Sequence, residues 1–174
     1  MTQICNGVNL IVEVKRMKLS TKGTYGLRAV LDLAVQSEEE AVALSQIAER
    51  QGISMNYLEQ LIAKLKKAGI VTAIRGAQGG YKLAKPAEEI SVGMILRALE
   101  GDLNPVDCIE VGSKESTCSN SDLCVTKYVW KRISDSINNA VDGIMLSELV
   151  AESKKVHAGT GTADSNKSRQ ICGK

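Results

Sequence analysis

The chain has 174 residues, of which 44% are hydrophobic and 24% charged, a balance typical of a globular protein with its own core. It has no apolar stretch long enough to span a membrane and no signal peptide, so we expect a cytoplasmic protein with reduced thiols and no membrane partner. The net charge of +2 is uneven, because residues 18–85 hold ten Lys and Arg against six Asp and Glu, whereas residues 86–153 hold five against twelve, so phosphate binding is expected in the first half only.

The chain opens with an extension, residues 1–16, whose alternation of apolar residues is incomplete, and Met17 looks like a second and more natural start. Ser20 can then cap a first helix, because apolar residues recur at helical spacing from Tyr25 to Val35. The N-terminal amides of this helix, with Ser20, Thr21 and Lys22, are candidate phosphate contacts. An ordinary capped helix would use the same residues, so both readings stay open.

Residues 43–65 form two amphipathic segments joined by a short turn. Each segment keeps apolar residues three or four positions apart, which gives one apolar face per helix, and these residues are Leu44, Ile47, Ala48, Leu58, Leu61, Ile62 and Leu65. Gly52 lets the chain leave the first helix, and Ser54 can cap the second. This is a helix-turn-helix, whose second helix can enter the major groove of DNA.

A predicted hairpin follows, with a β-branched strand at residues 70–74, a turn at 75–80 and a return strand at 81–83. A helix-turn-helix followed by a hairpin is a winged helix, with Arg75 at the base of the wing. We therefore predict DNA binding, although some winged helices serve only protein contacts. The candidate DNA-binding residues are Ser20, Thr21, Lys22, Tyr25, Ser54, Asn56, Tyr57, Glu59, Gln60, Lys64, Arg75, Gly76 and Gln78.

The second half of the chain is predicted to hold the remaining helices. Ser91 caps a short apolar helix over residues 92–100, which ends at Gly101, and a loop runs over residues 102–123. A long helix over residues 125–144 has a narrow apolar stripe, which indicates either a dimer interface or packing within one subunit. A short helix at 145–151 and a disordered tail at 154–174 complete the chain. The predicted fold is mainly α, with units at 17–86, 87–123 and 124–153.

Three cysteines, Cys108, Cys118 and Cys124, fall within seventeen positions and are separated by nine and five residues. The loop between them is small and polar, as a segment wrapped around a cofactor would be. With one further ligand, three thiolates could hold a [2Fe–2S] cluster, and the same thiolates could bind zinc or remain unligated. Cys5 and Cys172 lie in the terminal segments and are left out of the site.

The chain resembles the IscR-type iron–sulfur cluster regulators. The resemblance covers Met17 to about Val150 and lies in the motifs Met17-Lys18-Leu19-Ser20-Thr21-Lys22-Gly23, Tyr25-Gly26-Leu27-Arg28-Ala29, Tyr57-Leu58-Glu59-Gln60-Leu61, Arg75-Gly76 with Gly79-Gly80-Tyr81, Glu88-Glu89-Ile90-Ser91-Val92 and Cys124-Val125-Thr126. It implies a homodimeric winged-helix transcription regulator with a [2Fe–2S] cluster whose occupancy selects promoters, while the apo form still binds some of them.

The resemblance also implies roles for individual residues. Cys108, Cys118 and Cys124 match the family's three cluster cysteines, but the family's His ligand is replaced by Lys127, a poor ligand because its ammonium has no lone pair. The fourth ligand is then expected to be an oxygen donor, from elsewhere in the dimer or from the loop carboxylates Asp107, Glu110 and Asp122. Asn56, Tyr57 and Gln60 match recognition-helix contacts, Arg75 a wing contact near the minor groove, and Glu59 an acidic residue that discriminates between promoter classes.

Three functions remain open at this point. The first is a cluster-sensing regulator of iron–sulfur biogenesis genes that binds imperfect palindromic sites on double-stranded DNA. The second is a zinc- or thiol-redox-responsive regulator on the same scaffold. The third, an electron carrier or enzyme, is disfavoured because the sequence has no cofactor-binding glycine loop and no paired catalytic carboxylates.

Overall fold

The computed structural model describes residues 20–36, 41–76, 79–106 and 124–159. Within these ranges the chain is mainly helical, and its elements in order are α1 (Thr21–Gln36), α2 (Leu44–Gln51), α3 (Met55–Lys67), β1 (Val71–Ile74), β2 (Gly80–Leu83), α4 (Val92–Glu100), α5 (Thr126–Asp142) and α6 (Leu146–Gly159). A single turn of 3-10 helix, Ala87–Glu89, precedes α4. The predicted mainly-α fold with a winged helix-turn-helix is confirmed.

The turn between α2 and α3 forms as its sequence predicts. Gly52 ends α2 with φ 65° and ψ 37°, a left-handed conformation that glycine adopts without steric cost. Ser54 caps α3, because its side chain accepts a hydrogen bond from the amide of Tyr57 at 3.4 Å. The predicted apolar faces of both helices are buried in one core.

The wing is an antiparallel hairpin in which Val71 lies opposite Leu83 and Ile74 opposite Gly80. Val42 extends this small sheet, since its amide and carbonyl each form a 2.9 Å hydrogen bond with the backbone of Tyr81. The sequence did not predict this additional pairing, because a single residue is too short to show a strand pattern.

A polar contact fixes α1 against the end of α2. Asp32 accepts three hydrogen bonds from Arg50, two from Nε at 3.0 and 3.1 Å and one from Nη2 at 2.6 Å, and a fourth at 2.6 Å from the side-chain amide of Gln51. The carboxylate of Asp32 is only 6% exposed, and its hydrogen bond raises the pKa of Arg50 above the usual value. The two helices are therefore held together by an ion pair whose carboxylate is nearly buried and whose guanidinium is partly exposed.

The C-terminal part packs back on the winged helix through α6. The amide of Val92 donates to the carbonyl of Ile144 at 2.9 Å, the amide of Leu146 donates to the carbonyl of Ile90 at 2.8 Å, and Leu146 is fully buried in the core. α6 continues to Gly159, whereas the sequence predicted a helix ending at residue 151 and a disordered tail from residue 154, so that boundary was wrong. No helix in the described ranges is long and apolar enough to cross a membrane.

Candidate DNA interface and cysteine segment

The recognition helix α3 presents a polar face away from the core. Ser54, Asn56, Glu59 and Gln60 are exposed on this face, while Leu58, Leu61, Ile62 and Leu65 are buried beneath it. Residues of the first turns of a recognition helix are those that reach base edges in the major groove. The predicted contacts on α3 therefore share one accessible surface.

The first turns of α1 lie beside this face. The hydroxyl of Tyr57 is 3.3 Å from Oγ1 of Thr21, to which it donates a hydrogen bond, and the ring of Tyr57 meets that of Tyr25 edge to face, with centroids 6.2 Å apart. The guanidinium of Arg28 lies 5.5 Å from the centre of the Tyr25 ring and donates from Nε to Gln51 at 3.0 Å. Arg28 thus adds a cation to this surface that the predicted set did not include.

The predicted phosphate contacts at the start of α1 divide into two kinds. The side chains of Thr21 and Lys22 are exposed. The amides of Ser20 and Gly23 instead donate to one carboxylate oxygen of Glu100, at 3.1 and 2.8 Å, and the Lys22 amide donates to the Ser20 hydroxyl at 3.1 Å. The helix N-terminus therefore already binds an anionic group of the same chain, and its side chains are the groups that face outward.

The other predicted contacts lie at the two edges of the surface. Arg75 and Gly76 are exposed where the wing leaves β1, and Gln78 lies outside the described residues. Lys64, near the end of α3, donates from Nζ to the carbonyl of Leu99 at 2.9 Å, so its ammonium is directed toward α4. Its location favours a role in holding α3 in place.

The charge of this surface is predominantly positive. Lys22 and Arg28 lie on α1, Lys66 and Lys67 in the last turn of α3, and Arg75 on the wing, whereas α3 carries one carboxylate, that of Glu59. A surface with this balance attracts a polyanion and gives affinity that falls with salt.

Of the three predicted cluster cysteines, Cys108 and Cys118 lie outside the described residues, as do Asp107, Glu110 and Asp122. Cys124 is half-buried just before α5, with its sulfur 3.1 Å from the hydroxyl of Thr126. That hydrogen bond, and secondarily the Lys127 amide and charge, lower the pKa of the Cys124 thiol, which favours the thiolate that metal binding requires. Among described residues, no three His, Cys, Asp or Glu side chains are grouped as a metal site.

The long helix α5 leaves much of its apolar stripe uncovered. Val125 just before it and Tyr128 and Val129 within it are 86%, 69% and 51% exposed, and its one buried residue is Ser134. The helix is held on α4 by polar contacts from Arg97 to Asn138 and Asp142. The stripe residues Ile133, Ile137 and Val141 are half-buried within this one chain, so the dimer interface and packing within one subunit both stay predictions.

The chain is similar to known transcription regulators. The model of Rrf2, an iron-dependent transcriptional regulator, matches residues 19–152. The chain is 43% identical over 138 residues to the HTH-type transcriptional regulator IscR of Aliivibrio salmonicida, covering 79% of this chain and 80% of that protein.

Solved structures agree with this match. IscR of T. potens superposes with a TM-score of 0.65 at 42% identity, covering 84% of this chain and 93% of that one. CymR, the global cysteine regulator of B. subtilis, superposes with a TM-score of 0.63 at 38% identity, covering 78% and 97%. The relatives are named as transcription regulators and not as enzymes, as the sequence predicted, and the chain belongs to the Rrf2 family of transcription regulators.

Proposed function

We propose that this protein is a homodimeric transcription regulator that senses iron–sulfur cluster status through a [2Fe–2S] cluster and controls cluster biogenesis genes. The observation that carries the proposal is the exposed polar face of α3, flanked by the cationic side chains of α1 and the wing. The family membership supports the same class of function.

In the proposed DNA binding, α3 and the wing contact different grooves. Asn56, Tyr57 and Gln60 face the major groove, where Gln can pair with the edge of an adenine, and Arg75 lies near the minor groove. Glu59 repels phosphates or selects a base, which makes binding dependent on promoter sequence.

We expect the protein to select a duplex from a random pool, with affinity that falls steeply as salt rises. Gln60→Ala should relax base preference and cost about 1–3 kcal/mol at the contacted pair. Arg75→Ala should weaken binding mainly where the minor groove is narrow. Equal losses on all sequences for both variants would contradict this division of tasks.

The homodimer is supported by the exposed stripe of α5, because a second copy of the helix would cover apolar side chains that this chain leaves in water. Two recognition helices related by a two-fold axis meet half-sites about one helical turn, ~34 Å, apart on an imperfect inverted repeat. Replacing Val129 by Glu should produce monomers in sedimentation, whereas Lys131→Glu on the exposed polar side should not. A monomer footprint for the unmodified protein would contradict the dimer.

The cluster is assigned to Cys108, Cys118 and Cys124. When bound, it supplies a metal centre whose loss reports oxidation or iron shortage to the DNA-binding part. Cys124 fits such a site, since Thr126 stabilises its thiolate and the side chain is accessible. Lys127 cannot ligate iron through its ammonium, so an oxygen donor would have to complete the coordination, either a loop carboxylate or a group from elsewhere in the dimer.

Anaerobic purification with iron, sulfide and zinc counted per chain tests the cluster. Single changes of Cys108, Cys118 or Cys124 to Ala should abolish the visible absorption but leave folding and part of the DNA binding. Cys172→Ala is the matched control and should keep the absorption. Lys127→Ala should also keep it, and Lys127→His should make the cluster more durable. Bleaching by Lys127→Ala or Cys172→Ala would refute the ligand assignment.

A zinc- or thiol-responsive regulator is the second candidate. It is favoured by the lowered pKa of Cys124 and by the Lys127 charge beside it, because both suit a reactive thiolate without a cluster. A colourless, zinc-loaded protein from anaerobic cells would select the zinc version. A metal-free protein whose DNA affinity changes on oxidation would select the thiol version.

A further inference from the structure

A single carboxylate joins the C-terminus of α4 to the first turn of α1. Oε1 of Glu100 accepts hydrogen bonds from the amide of Gly23 at 2.8 Å, from the amide of Ser20 at 3.1 Å and from the Ser20 hydroxyl. Glu100 ends α4, where the helix dipole disfavours a negative charge, but it lies at the start of α1, where the dipole favours one. Its placement is therefore explained by α1 and not by its own helix.

Two glycines allow α1 to approach α4 this closely. A Cβ on Gly23 would lie 2.8 Å from Oε1 of Glu100, and a Cβ on Gly26 would overlap Cδ1 of Leu99 and lie 3.0 Å from its Cδ2. A side chain at Gly23 would displace the Glu100 carboxylate, and one at Gly26 would require Leu99 to move. The first two turns of α1 are therefore shaped to contact the end of α4.

The same end of α4 also contacts the recognition helix. The carbonyl of Leu99 accepts a hydrogen bond from Nζ of Lys64 on α3 at 2.9 Å. The first turn of α1 is in turn joined to α3, since Tyr57 donates to Thr21 at 3.3 Å. The last two residues of α4 thus contact both helices that form the candidate DNA surface.

We propose that Glu100 is a positioning residue of the DNA interface. By fixing the first turn of α1, it places Thr21 and Lys22 against the DNA backbone and preserves the hydrogen bond that orients Tyr57. This inference rests on the proposed DNA-binding function and adds an acidic residue to it. The opposite role would be that Glu100 occupies an anion site that a DNA phosphate needs.

The two roles predict opposite changes in DNA affinity when Glu100 is removed. Removing an acidic residue from a DNA-binding protein reduces its repulsion of phosphates, so electrostatics alone predicts tighter binding. If Glu100 positions α1, its removal weakens binding instead. The donors favour positioning, because the amides of Ser20 and Gly23 already donate to the Glu100 carboxylate, and a phosphate could bind them only by displacing that side chain.

The test compares Glu100→Ala and Glu100→Gln with Glu89→Ala, a control that removes the same charge from an exposed residue of the 3-10 turn. The probe is a duplex that the unmodified full-length protein selects from a random pool. Dissociation constants are measured at several salt concentrations, and amide hydrogen exchange is followed at Gly23. Thermal unfolding checks that each variant is folded.

We expect Glu100→Ala to bind about tenfold more weakly, because the competent first turn is only partly populated. Its salt slope should fall by about one per protomer, since a phosphate contact is lost, and a general loss of stability would not change that slope. Exchange at Gly23 should accelerate. Glu100→Gln keeps an acceptor oxygen and should be intermediate, and Glu89→Ala should bind at least as tightly as the unmodified protein.

Binding by Glu100→Ala that equals or exceeds that of Glu89→Ala would overturn the positioning role. If Glu100→Ala does not fold, Glu100→Gln decides, because an unchanged salt slope and unchanged Gly23 exchange in that variant would overturn the role equally. An unmodified protein that selects no duplex would overturn the DNA-binding function and this inference together. Salt-dependent selection with an unaffected Glu100→Ala overturns the inference alone.

Discussion

The close approach of α1 to α4 predicts an unusual response to the substitution Gly26→Ala. An exposed helical glycine replaced by alanine would gain about 1 kcal/mol of stability from helix propensity. At position 26 the added methyl overlaps Cδ1 of Leu99 and lies 3.2 Å from its Cγ. Leu99 is 1% exposed, so its side chain can move only within the packed core.

The expected magnitude follows from these two opposing effects. Overpacking of a dense core costs about 1–3 kcal/mol, which outweighs the propensity gain and leaves Gly26→Ala destabilising by about 1 kcal/mol. Leu99→Ala alone should cost about 2–5 kcal/mol through lost burial and the cavity it leaves. In that background the overlap disappears, and Gly26→Ala should become stabilising by about 1 kcal/mol.

Urea unfolding of the two single variants and the double variant measures this change of sign. The coupling free energy between the two positions should be about 2 kcal/mol, because the methyl group and the Leu99 side chain compete for one volume. Additive effects, or a stabilising Gly26→Ala in the unmodified protein, would refute the close packing of α1 on α4 and with it the basis for the role of Glu100.

Three further predictions concern other contacts. Asp32→Asn should destabilise the fold by about 2 kcal/mol, because the nearly buried carboxylate binds Arg50 with charge-assisted hydrogen bonds. A denaturation midpoint of the variant equal to that of the unmodified protein would contradict this. Ser91→Ala removes the cap of α4 and should lower the free energy of unfolding by about 1 kcal/mol, as measured by thermal unfolding. Ser54→Ala should lower it by less, because the 3.4 Å hydrogen bond of Ser54 is exposed. Equal losses of stability in the two variants would contradict this ranking. Thr126→Val removes the hydrogen bond that lowers the pKa of Cys124, so the pKa of this thiol should rise. Alkylation of the metal-free thiol near neutral pH should then become slower, because less thiolate is present. An unchanged dependence of the alkylation rate on pH would contradict this prediction.

The helices could be predicted from sequence wherever burial follows a helical period. The apolar residues of α2 and α3 lie on the buried side as their spacing predicts, and the caps at Ser54 and Ser91 form at the predicted residues. The end of α6 could not be predicted in this way, because residues 152–158 are mostly exposed and carry no apolar period. The last turns of α6 are supported by helix propensity and by the ion pair of Lys155 with Glu152 at 2.7 Å. Neither effect produces a pattern of buried residues in the sequence.

In the candidate site, too, features set by neighbouring residues could be predicted, whereas contacts between residues distant in sequence could not. The polar face of α3 follows from the helix-turn-helix pattern, since residues between buried positions must be exposed. The bond from Glu100 to Ser20 spans 80 positions of sequence, and no local spacing encodes it. A signal was nevertheless present, because Gly23 and Gly26 stand three apart inside a helix, where glycine costs stability unless another backbone or side chain approaches closely.

The arrangement of α4 explains how two predicted functions can share a small chain. One side of α4 is buried in the core through Ile95 and Leu99, Arg97 binds Asn138 at 2.9 Å on α5, and Glu100 binds the first turn of α1. α5 carries both the exposed stripe proposed for dimerisation and, just before its start, Cys124. Arg97 and Glu100 therefore link α4 to α5 at one point and to the first turn of α1 at another. α4 thus lies between the helix proposed for dimerisation and the proposed DNA surface, and it forms hydrogen bonds with both.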